Sequence, residues 1–213
     1  MKTEFEFVKP EEIEKRSFAI ITEELSEKGI CLDPENEMVI KRVIHTSADF
    51  EYADTLSFSP NAVNKAKKLL ENGADIITDT NMTLAGINKR VLSYYGGEAH
   101  CFMAEELTAK LAGEQGTTRA AISMERASKI QKPLIFAIGN APTALMKLDE
   151  MIKQDKIHPA FIIGVPVGFV NVVPAKELIL QSDVPYIVNR GRKGGSNVAA
   201  AICNALLYEL GRR

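Results

Sequence analysis

Short runs rich in isoleucine, valine and phenylalanine alternate along this chain with longer segments that mix apolar and polar positions. The short runs are bounded by glycine, proline or asparagine, as strands often are, and the longer segments have the length of helices. We predict strands at residues 38–45, 74–79, 98–103, 133–138, 160–165 and 185–189. We predict helices at residues 10–28, 61–72, 82–95, 117–131, 142–155, 174–182 and 195–211.

This alternation predicts an α/β fold. Crossovers through a helix make successive strands parallel, and a parallel sheet has helices on both faces. Residues 104–116 are polar and contain glycine, so they form either a mobile connection or, around residues 105–110, a further helix. Because the sequence shows neither a repeat nor a linker, we expect residues 1–213 to form a single domain with a mostly parallel sheet.

The composition excludes several classes of function. Lys and Arg number 26 against 28 Asp and Glu, so the formal net charge is -2 and no overall positive field attracts nucleic acid or an anionic membrane. The cysteines Cys31, Cys101 and Cys203 are widely separated and fit neither a CxxC metal site nor a disulfide framework. The start Met1–Glu6 lacks the basic and apolar segments of a signal peptide, which predicts a cytoplasmic protein.

One histidine follows the first predicted strand. The run Val39–Ile44 leads into the small polar string His45–Asp49. Ligands of open α/β sheets bind at the carboxyl ends of the strands, and histidine is the side chain whose proton moves near neutral pH. His45 is therefore a candidate proton donor, although a histidine that only caps a strand through hydrogen bonds would have the same sequence context.

Two other strand ends carry polar residues before a helix. Asp79, Thr80 and Asn81 follow the second predicted strand, and one of them is expected to cap the next helix. Asn140 follows the fourth strand and precedes Pro142, which suits the first turn of a helix. We expect exposed backbone amides at this helix start, where they could receive a carboxylate.

The last two strand ends suggest an apolar ligand with negative charges. Gly164–Asn171 is too apolar for an ordinary surface loop and should cover either core or a flat ligand. Arg190–Asn197 places three cations among glycines at a helix start, where they oppose the helix dipole and so indicate an anion. Neither GxxxxGK[ST] nor GxGxxG occurs there, so the sequence gives only weak support for a nucleotide-binding site. Arg119 opens another helix and either binds the anion or pairs with Glu114 or Glu125.

The first predicted helix adds two polar candidates. On a helical wheel its inward arc is formed by Ile13, Ile20, Ile21 and Leu25. Ser17 falls within this arc and Arg16 at its margin, so both could line a pocket. Alternatively, Ser17 only bonds the carbonyl one turn back and Arg16 only pairs with Glu12.

Six of these segments occur in the order typical of one family. They are Arg16–Phe18, Arg42–Ser47, Thr78–Met82, Gly139–Thr143, Gly164–Val170 and Gly191–Ser196. Together they resemble the precorrin-8X methylmutase / cobalt-precorrin-8 methylmutase family. The resemblance implies an α/β homodimer and an isomerase of corrin (cobalamin) biosynthesis. Such an enzyme moves a methyl group from ring carbon 11 to ring carbon 12 of precorrin-8X or cobalt-precorrin-8, giving hydrogenobyrinate or cobyrinate.

The resemblance also assigns roles to residues. It implies that His45 gives a proton or hydrogen bond to a nitrogen of ring C. The macrocycle is apolar and fringed with carboxylates, so its site needs apolar walls, scattered cations and helix N-termini. The residues expected to bind it are Arg16, Ser17, Thr46, Thr78, Asp79, Met82, Gly86, Arg119, Asn140, Val167, Gly168, Arg190, Arg192 and Lys193.

A methyl shift within one molecule needs neither a nucleophile nor a redox cofactor nor a catalytic metal. We therefore expect no cofactor and no metal site, and any cobalt is carried by the substrate. The residues leave open whether the substrate contains cobalt. A non-catalytic corrinoid-binding carrier is the main alternative, and a nucleotide-dependent α/β transferase or hydrolase would need a phosphate motif that we do not find.

Overall fold

The computed structural model describes residues 6–211, which form an α/β fold around one sheet. The strands are β1 (Leu56–Phe58), β2 (Asp75–Thr78), β3 (Ala99–His100), β4 (Leu134–Ile138), β5 (Phe161–Gly164) and β6 (Tyr186–Asn189). A 3-10 turn at Pro10–Glu12 precedes the helices α1 (Ile13–Glu27), α2 (Glu37–Ser47), α3 (Tyr52–Thr55), α4 (Ala62–Glu71), α5 (Asn81–Gly86), α6 (Lys89–Tyr94), α7 (Glu106–Gln115), α8 (Arg119–Ala127), α9 (Pro142–Lys153), α10 (Val172–Leu180) and α11 (Ser196–Glu209).

The strand order is β1-β6-β5-β4-β2-β3, with β1 antiparallel to β6 and the other pairs parallel. From β2 the chain moves outward to β3 and then returns to β4 on the other side of β2. This reversal creates a switch point between β2 and β4, and ligands of open α/β sheets bind at the carboxyl end of such a point.

Helices cover both faces of the sheet, as the sequence predicts. Neighbouring residues of a strand point to opposite faces. Ile76 and Ile135 accordingly pack with the layer that contains α1, α2, α4 and α11, whereas Ile77 and Phe136 pack with α8, α9 and α10. Both layers are apolar, which explains why the central strands read as continuous apolar runs.

The strand predicted at residues 38–45 is wrong, because this segment forms α2. Its buried apolar residues are Val39, Ile40, Val43 and Ile44. They recur at the spacing of one helix face, whereas a half-buried strand would alternate. The helix ends at Ala48, a left-handed C-cap with φ +53°. His45 therefore lies in the last turn of a helix and not at the end of a strand.

Three smaller differences concern a short strand, a divided helix and the segment at residues 104–116. The sequence does not predict β1, which has only three residues and lies at the antiparallel edge. The helix predicted at residues 82–95 is two helices, because the side chain of Asn88 accepts the N–H of Val91 and starts α6. Within residues 104–116 the helical alternative is correct, since α7 forms there.

The inward arc predicted for the first helix is only partly correct. Ile21 and Leu25 are buried, but Ile13 is 52% exposed and Ile20 is 36% exposed. The apolar stripe is narrower than predicted because α1 packs mainly on one helix, α2. Among the described residues, no helix is long and apolar enough to cross a bilayer.

Candidate active site

Asp79 joins the two loops at the switch point between β2 and β4. Its carboxylate accepts the backbone N–H groups of Gly139 (2.9 Å), Asn140 (2.8 Å) and Ala141 (2.5 Å). Burial raises the pKa of Asp79, and these three donors act in the opposite direction. We expected these backbone amides to bind a carboxylate of the ligand. Instead, they donate to the carboxylate of Asp79. Because Asp79 is fully buried, it supports the two loops and offers no surface to a ligand.

Hydroxyl groups tie the end of β2 to the start of α11. Of the three candidate caps, Thr80 is the one whose side chain caps α5, by accepting the N–H of Thr83 at 3.1 Å. The Thr80 hydroxyl also lies 2.8 Å from that of Ser196. Thr78 is fully buried, and its hydroxyl donates to the carbonyls of Thr80 and His100. Thr78, predicted to bind substrate, therefore has a supporting role in this structure.

Glycines allow the loops at this edge to approach closely. A Cβ at Gly139 would lie 2.7 Å from the Cα of Ser196, and one at Gly194 would overlap the carbonyl oxygen of Val165. Gly194 also has φ +155°, which other residues rarely adopt. Gly86, predicted to contact substrate, packs so closely that a Cβ there would lie 2.7 Å from the Cβ of Ala200. Close packing of α5 on α11 thus accounts for this glycine.

Lys193 is paired with the protein's own carboxylates. Its Nζ lies 2.6 Å from Asp49 Oδ2 and 2.7 Å from Glu51 Oε2, and these hydrogen bonds raise the pKa of Lys193. Lys193 is therefore already compensated within the protein, and its contact with substrate stays a prediction. The ion pair with Asp49 fixes the end of α2 against the loop between β6 and α11.

The other two cations of this loop have no acidic partner among the described residues. Arg190 donates from Nε to the Ser57 hydroxyl at 2.9 Å. The guanidinium of Arg192 lies 5.4 Å from the ring centroid of Phe169. Both side chains are exposed, so their positive charges remain available to an anion.

Arg119 is likewise exposed, and its guanidinium has no ion pair within residues 6–211. The two carboxylates that we considered as surface partners pair elsewhere, Glu114 with Lys110 and Glu125 with Lys147. Thr118, the cap of α8, donates to the Thr143 hydroxyl at 3.1 Å and so holds the start of α8 beside the start of α9. Arg119 therefore belongs to the same edge of the sheet as Asn140.

An exposed apolar loop lies beside these arginines. Val167 is 46% exposed, Phe169 83% and Val170 77%. Gly168 has φ +145°, and its N–H donates to the carbonyl of Arg192 at 3.2 Å. Met82, 69% exposed, adds a further apolar side chain at the start of α5. The edge thus combines apolar surface with positive charges that no acidic side chain of residues 6–211 compensates.

His45 reaches this edge from a helix. It is exposed in the last turn of α2, and the ion pair of Asp49 with Lys193 holds that end of α2 near the strand ends. Its ring centroid lies 5.5 Å from that of Phe18 on α1. His45 thus lies in the last turn of a helix and not after a strand, and its role toward the substrate stays a prediction. Thr46, the next residue, is also exposed.

Arg16 and Ser17 lie on α1 near this histidine. The Ser17 hydroxyl donates to the carbonyl of Ile13 at 2.9 Å, which is the local bond that we considered as an alternative. Arg16 pairs with Glu6 at 2.7 Å and not with Glu12, and both partners are exposed. Contact of Arg16 or Ser17 with substrate stays a prediction.

Comparison with known proteins identifies the family. A family model described as Precorrin-8X methylmutase matches residues 12–209. The chain belongs to the precorrin-8X methylmutase family. It is 43% identical to the cobalt-precorrin-8 methylmutase of Salmonella typhimurium, covering 94% of this chain and 96% of that one. It is 39% identical to the precorrin-8X methylmutase of Pseudomonas aeruginosa, covering 92% and 94%.

A solved structure confirms the fold assigned to this methylmutase-family chain. The crystal structure of precorrin-8x methyl mutase from Thermus thermophilus superposes with a TM-score of 0.84 at 36% identity, covering 93% of this chain and 97% of that one. The single α/β sheet with helices on both faces is thus the family's fold.

Sequence reasoning missed several residues that build the edge of this methylmutase-family chain. Asp49 and Glu51 compensate Lys193, and Asn189 donates to the carbonyls of Arg190 and Lys193. Lys176 carried a detectable signal, because it shares a helix face with Val172, Ala175 and Ile179, which are all buried. A lysine on an otherwise buried face indicates a specific partner.

The remaining features lie away from the edge or carry no site. Cys31 is exposed, Cys101 half-buried and Cys203 buried, and all three are free thiols. Among residues 6–211, no group of three or more His, Cys, Asp and Glu side chains could hold a metal ion. Cavities of about 430 and 500 Å³ lie beside α1 and at the opposite edge of the sheet, respectively.

Proposed function

We propose that this chain is a methylmutase of corrin biosynthesis. It moves a methyl group from ring carbon 11 to ring carbon 12 of precorrin-8X or cobalt-precorrin-8, and so forms hydrogenobyrinate or cobyrinate. Beyond family membership, the observation that carries the proposal is the edge where Arg119, Arg190 and Arg192 have no acidic partner within residues 6–211 and lie beside an exposed apolar loop. A flat apolar ring fringed with carboxylates matches that combination.

The arginines hold the substrate by its rim. Guanidinium groups bind carboxylates through charge-assisted hydrogen bonds, which are stronger than neutral ones. Val167, Phe169 and Met82 contact the apolar faces of the macrocycle, since their side chains are exposed at the same edge. Held at several points, the ring has little freedom, and this loss of motion contributes to catalysis of a unimolecular shift.

His45 supplies the chemistry. It donates a proton or hydrogen bond to the nitrogen of ring C, which draws electrons toward that ring and makes the migration of the methyl group favourable. The methyl group leaves one ring carbon and bonds to the next within one molecule, so atoms and electrons balance without an external acceptor. We infer that the protein needs no cofactor of its own and that cobalt, where present, enters with the substrate.

Turnover by the parent and by His45→Ala tests the proposal. We expect the parent to convert precorrin-8X or its cobalt form, and His45→Ala to bind product nearly as well while losing roughly 10²–10⁴-fold in rate, the range for a positioned acid. His158→Ala is the matched control, because His158 is highly exposed in a loop at the opposite edge. Binding and spectrophotometric turnover are measured on one preparation with both forms of the substrate.

Two results would contradict this function. A parent protein that binds the macrocycle and never converts it would be a carrier and not an isomerase. A near-parental rate for His45→Ala would remove the histidine from the mechanism and leave orientation by the site as the whole of catalysis.

We also propose a cytoplasmic homodimer whose two sites lie at the subunit interface, with no nucleic-acid or membrane partner. The support is the loop around Phe169, which otherwise leaves an apolar patch in water. Light scattering should give twice the monomer mass at micromolar concentration. Phe169→Ser should shift the mass toward the monomer, whereas Tyr94→Ser, which changes another exposed aromatic residue, should not. A monomeric parent, with or without product, would overturn the dimer.

A further inference from the structure

Lys176 is a fully buried cation that the proposed reaction does not use. Its Nζ donates to the carbonyl of Gly191 at 2.8 Å and to that of Lys193 at 2.7 Å. It forms no ion pair with an acidic side chain of residues 6–211, and burial lowers its pKa to about 8. An uncompensated buried cation is costly, so its two hydrogen bonds need an explanation beyond filling space.

The explanation lies in the loop above it. Gly191, Gly194 and Gly195 have φ of +71°, +155° and +140°, so this segment follows no regular ladder and its carbonyls need outside donors. The side-chain amide of Asn189 donates to the carbonyls of Arg190 and Lys193, and Lys176 donates to those of Gly191 and Lys193. The carbonyl of Arg192 accepts the N–H of Gly168. A methionine would fill a similar volume on this apolar helix face but would leave the carbonyl of Gly191 without its donor.

The same loop carries two of the cations assigned to the substrate. We propose that Lys176 is a positioning residue for substrate binding: by holding the carbonyls of Gly191 and Lys193 it fixes the loop so that Arg190 and Arg192 face the carboxylates of the macrocycle. The proposal rests on the proposed function for its ligand, whereas the ordering of the loop by Lys176 does not. Lys176 itself touches no substrate, since it lies beneath the loop.

Lys176→Met is the first test, and the parent is assayed beside it. Loosening a substrate-holding loop removes binding that the ground state and the transition state share, so KM and the product Kd should rise about tenfold while kcat stays within about threefold. Lys41→Met is the matched control, because Lys41 is also buried but pairs with Glu37 on α2. A general loss of packing would affect both variants, whereas the change in KM should be confined to Lys176.

A second readout does not need the substrate. Amide hydrogen exchange of residues 190–195 should be faster in Lys176→Met than in Lys41→Met and the parent. If Lys176→Met does not fold, Lys176→Gln is measured in the same way, and because its shorter side chain cannot reach both carbonyls, a rise in KM and faster exchange are again expected. Unchanged KM, or exchange equal to that of the parent, would overturn the proposal. A parent without turnover would overturn the proposed function alone, and exchange would still decide the role of Lys176.

Discussion

The amino ends of the parallel strands form one edge of the sheet and their carboxyl ends form the other, and charged groups are paired differently at the two. At the amino edge, Asp75 is buried at the start of β2, where its carboxylate accepts bonds from Lys132 Nζ (2.8 Å), His100 Nε2 (3.2 Å) and the N–H of Glu98 (2.8 Å). At the carboxyl edge, the buried carboxylate of Asp79 bonds to backbone amides, and three nearby arginines have no acidic partner among the described residues.

This difference indicates which edge can bind an anionic ligand. At the amino edge, the lysine and the histidine already bond to a carboxylate of the protein. They therefore offer little to an external anion. Guanidinium groups that have no acidic partner among the described residues are free to form charge-assisted hydrogen bonds with a carboxylate ligand. Ion pairs occur at both edges, as Lys193 with Asp49 shows, but the three arginines that we propose for substrate binding lie at the carboxyl edge, where the strand order reverses.

The largest expected effect is on the carboxylate that joins the loops of the binding edge. Asp79→Ala should lower the free energy of unfolding by about 3 to 5 kcal/mol, because three buried N–H groups lose their acceptor. Urea denaturation measures this, with Asp54→Ala as the control, since Asp54 is exposed. A loss below about 0.5 kcal/mol would mean that the two loops do not depend on Asp79.

The next effect contrasts an unpaired with a paired cation of the same edge. Arg119→Met should weaken product binding by about 1.5 to 3 kcal/mol, the loss expected for one charge-assisted contact, with the fold intact. Lys193→Met should change affinity less, because Asp49 and Glu51 already compensate Lys193. Titration with the corrinoid product measures both variants, and Arg90→Met controls for loss of an exposed arginine elsewhere. Equal effects of Arg119 and Lys193 would remove the distinction between them.

The smallest effect concerns the amino edge and depends on pH. Although burial opposes it, hydrogen bonds from Lys132, the N–H of Glu98 and His100 lower the pKa of Asp75 below its usual value of 3.8. The stabilisation by this carboxylate is therefore fully present above that value and is lost as pH falls below it. Asp75→Asn should cost about 1 to 2 kcal/mol at pH near 7 and progressively less below pH about 4.

Unfolding of Asp75→Asn and the parent across this pH range provides the measurement, with Asp54→Asn as the control. Product affinity should stay at the parental level, because Asp75 lies at the edge away from the arginines. A large fall in affinity would contradict our proposal that the substrate binds at the carboxyl edge and not at the amino edge.

Parts of this arrangement could be predicted from the sequence and others could not. The buried strands were predictable because both of their faces are covered, so their apolar runs are continuous. The segment Val39–Ile44 was wrongly predicted as a strand, because neighbouring pairs of apolar residues occur both in strands and on one face of a helix. The arginines were predictable as candidates from their helix-start positions, but not their pairing. Lys193 and Asp49 are 144 positions apart, and only the folded chain brings them together.

The crystal structure of the protein with bound hydrogenobyrinate or cobyrinate tests the account most directly. We expect the macrocycle at the carboxyl edge, with rim carboxylates on Arg119, Arg190 and Arg192. The imidazole of His45 should lie within about 2.6 to 3.2 Å of the ring C nitrogen, the reach of a proton donor. A macrocycle bound at the amino edge, or one whose ring C lies away from His45, would contradict the account.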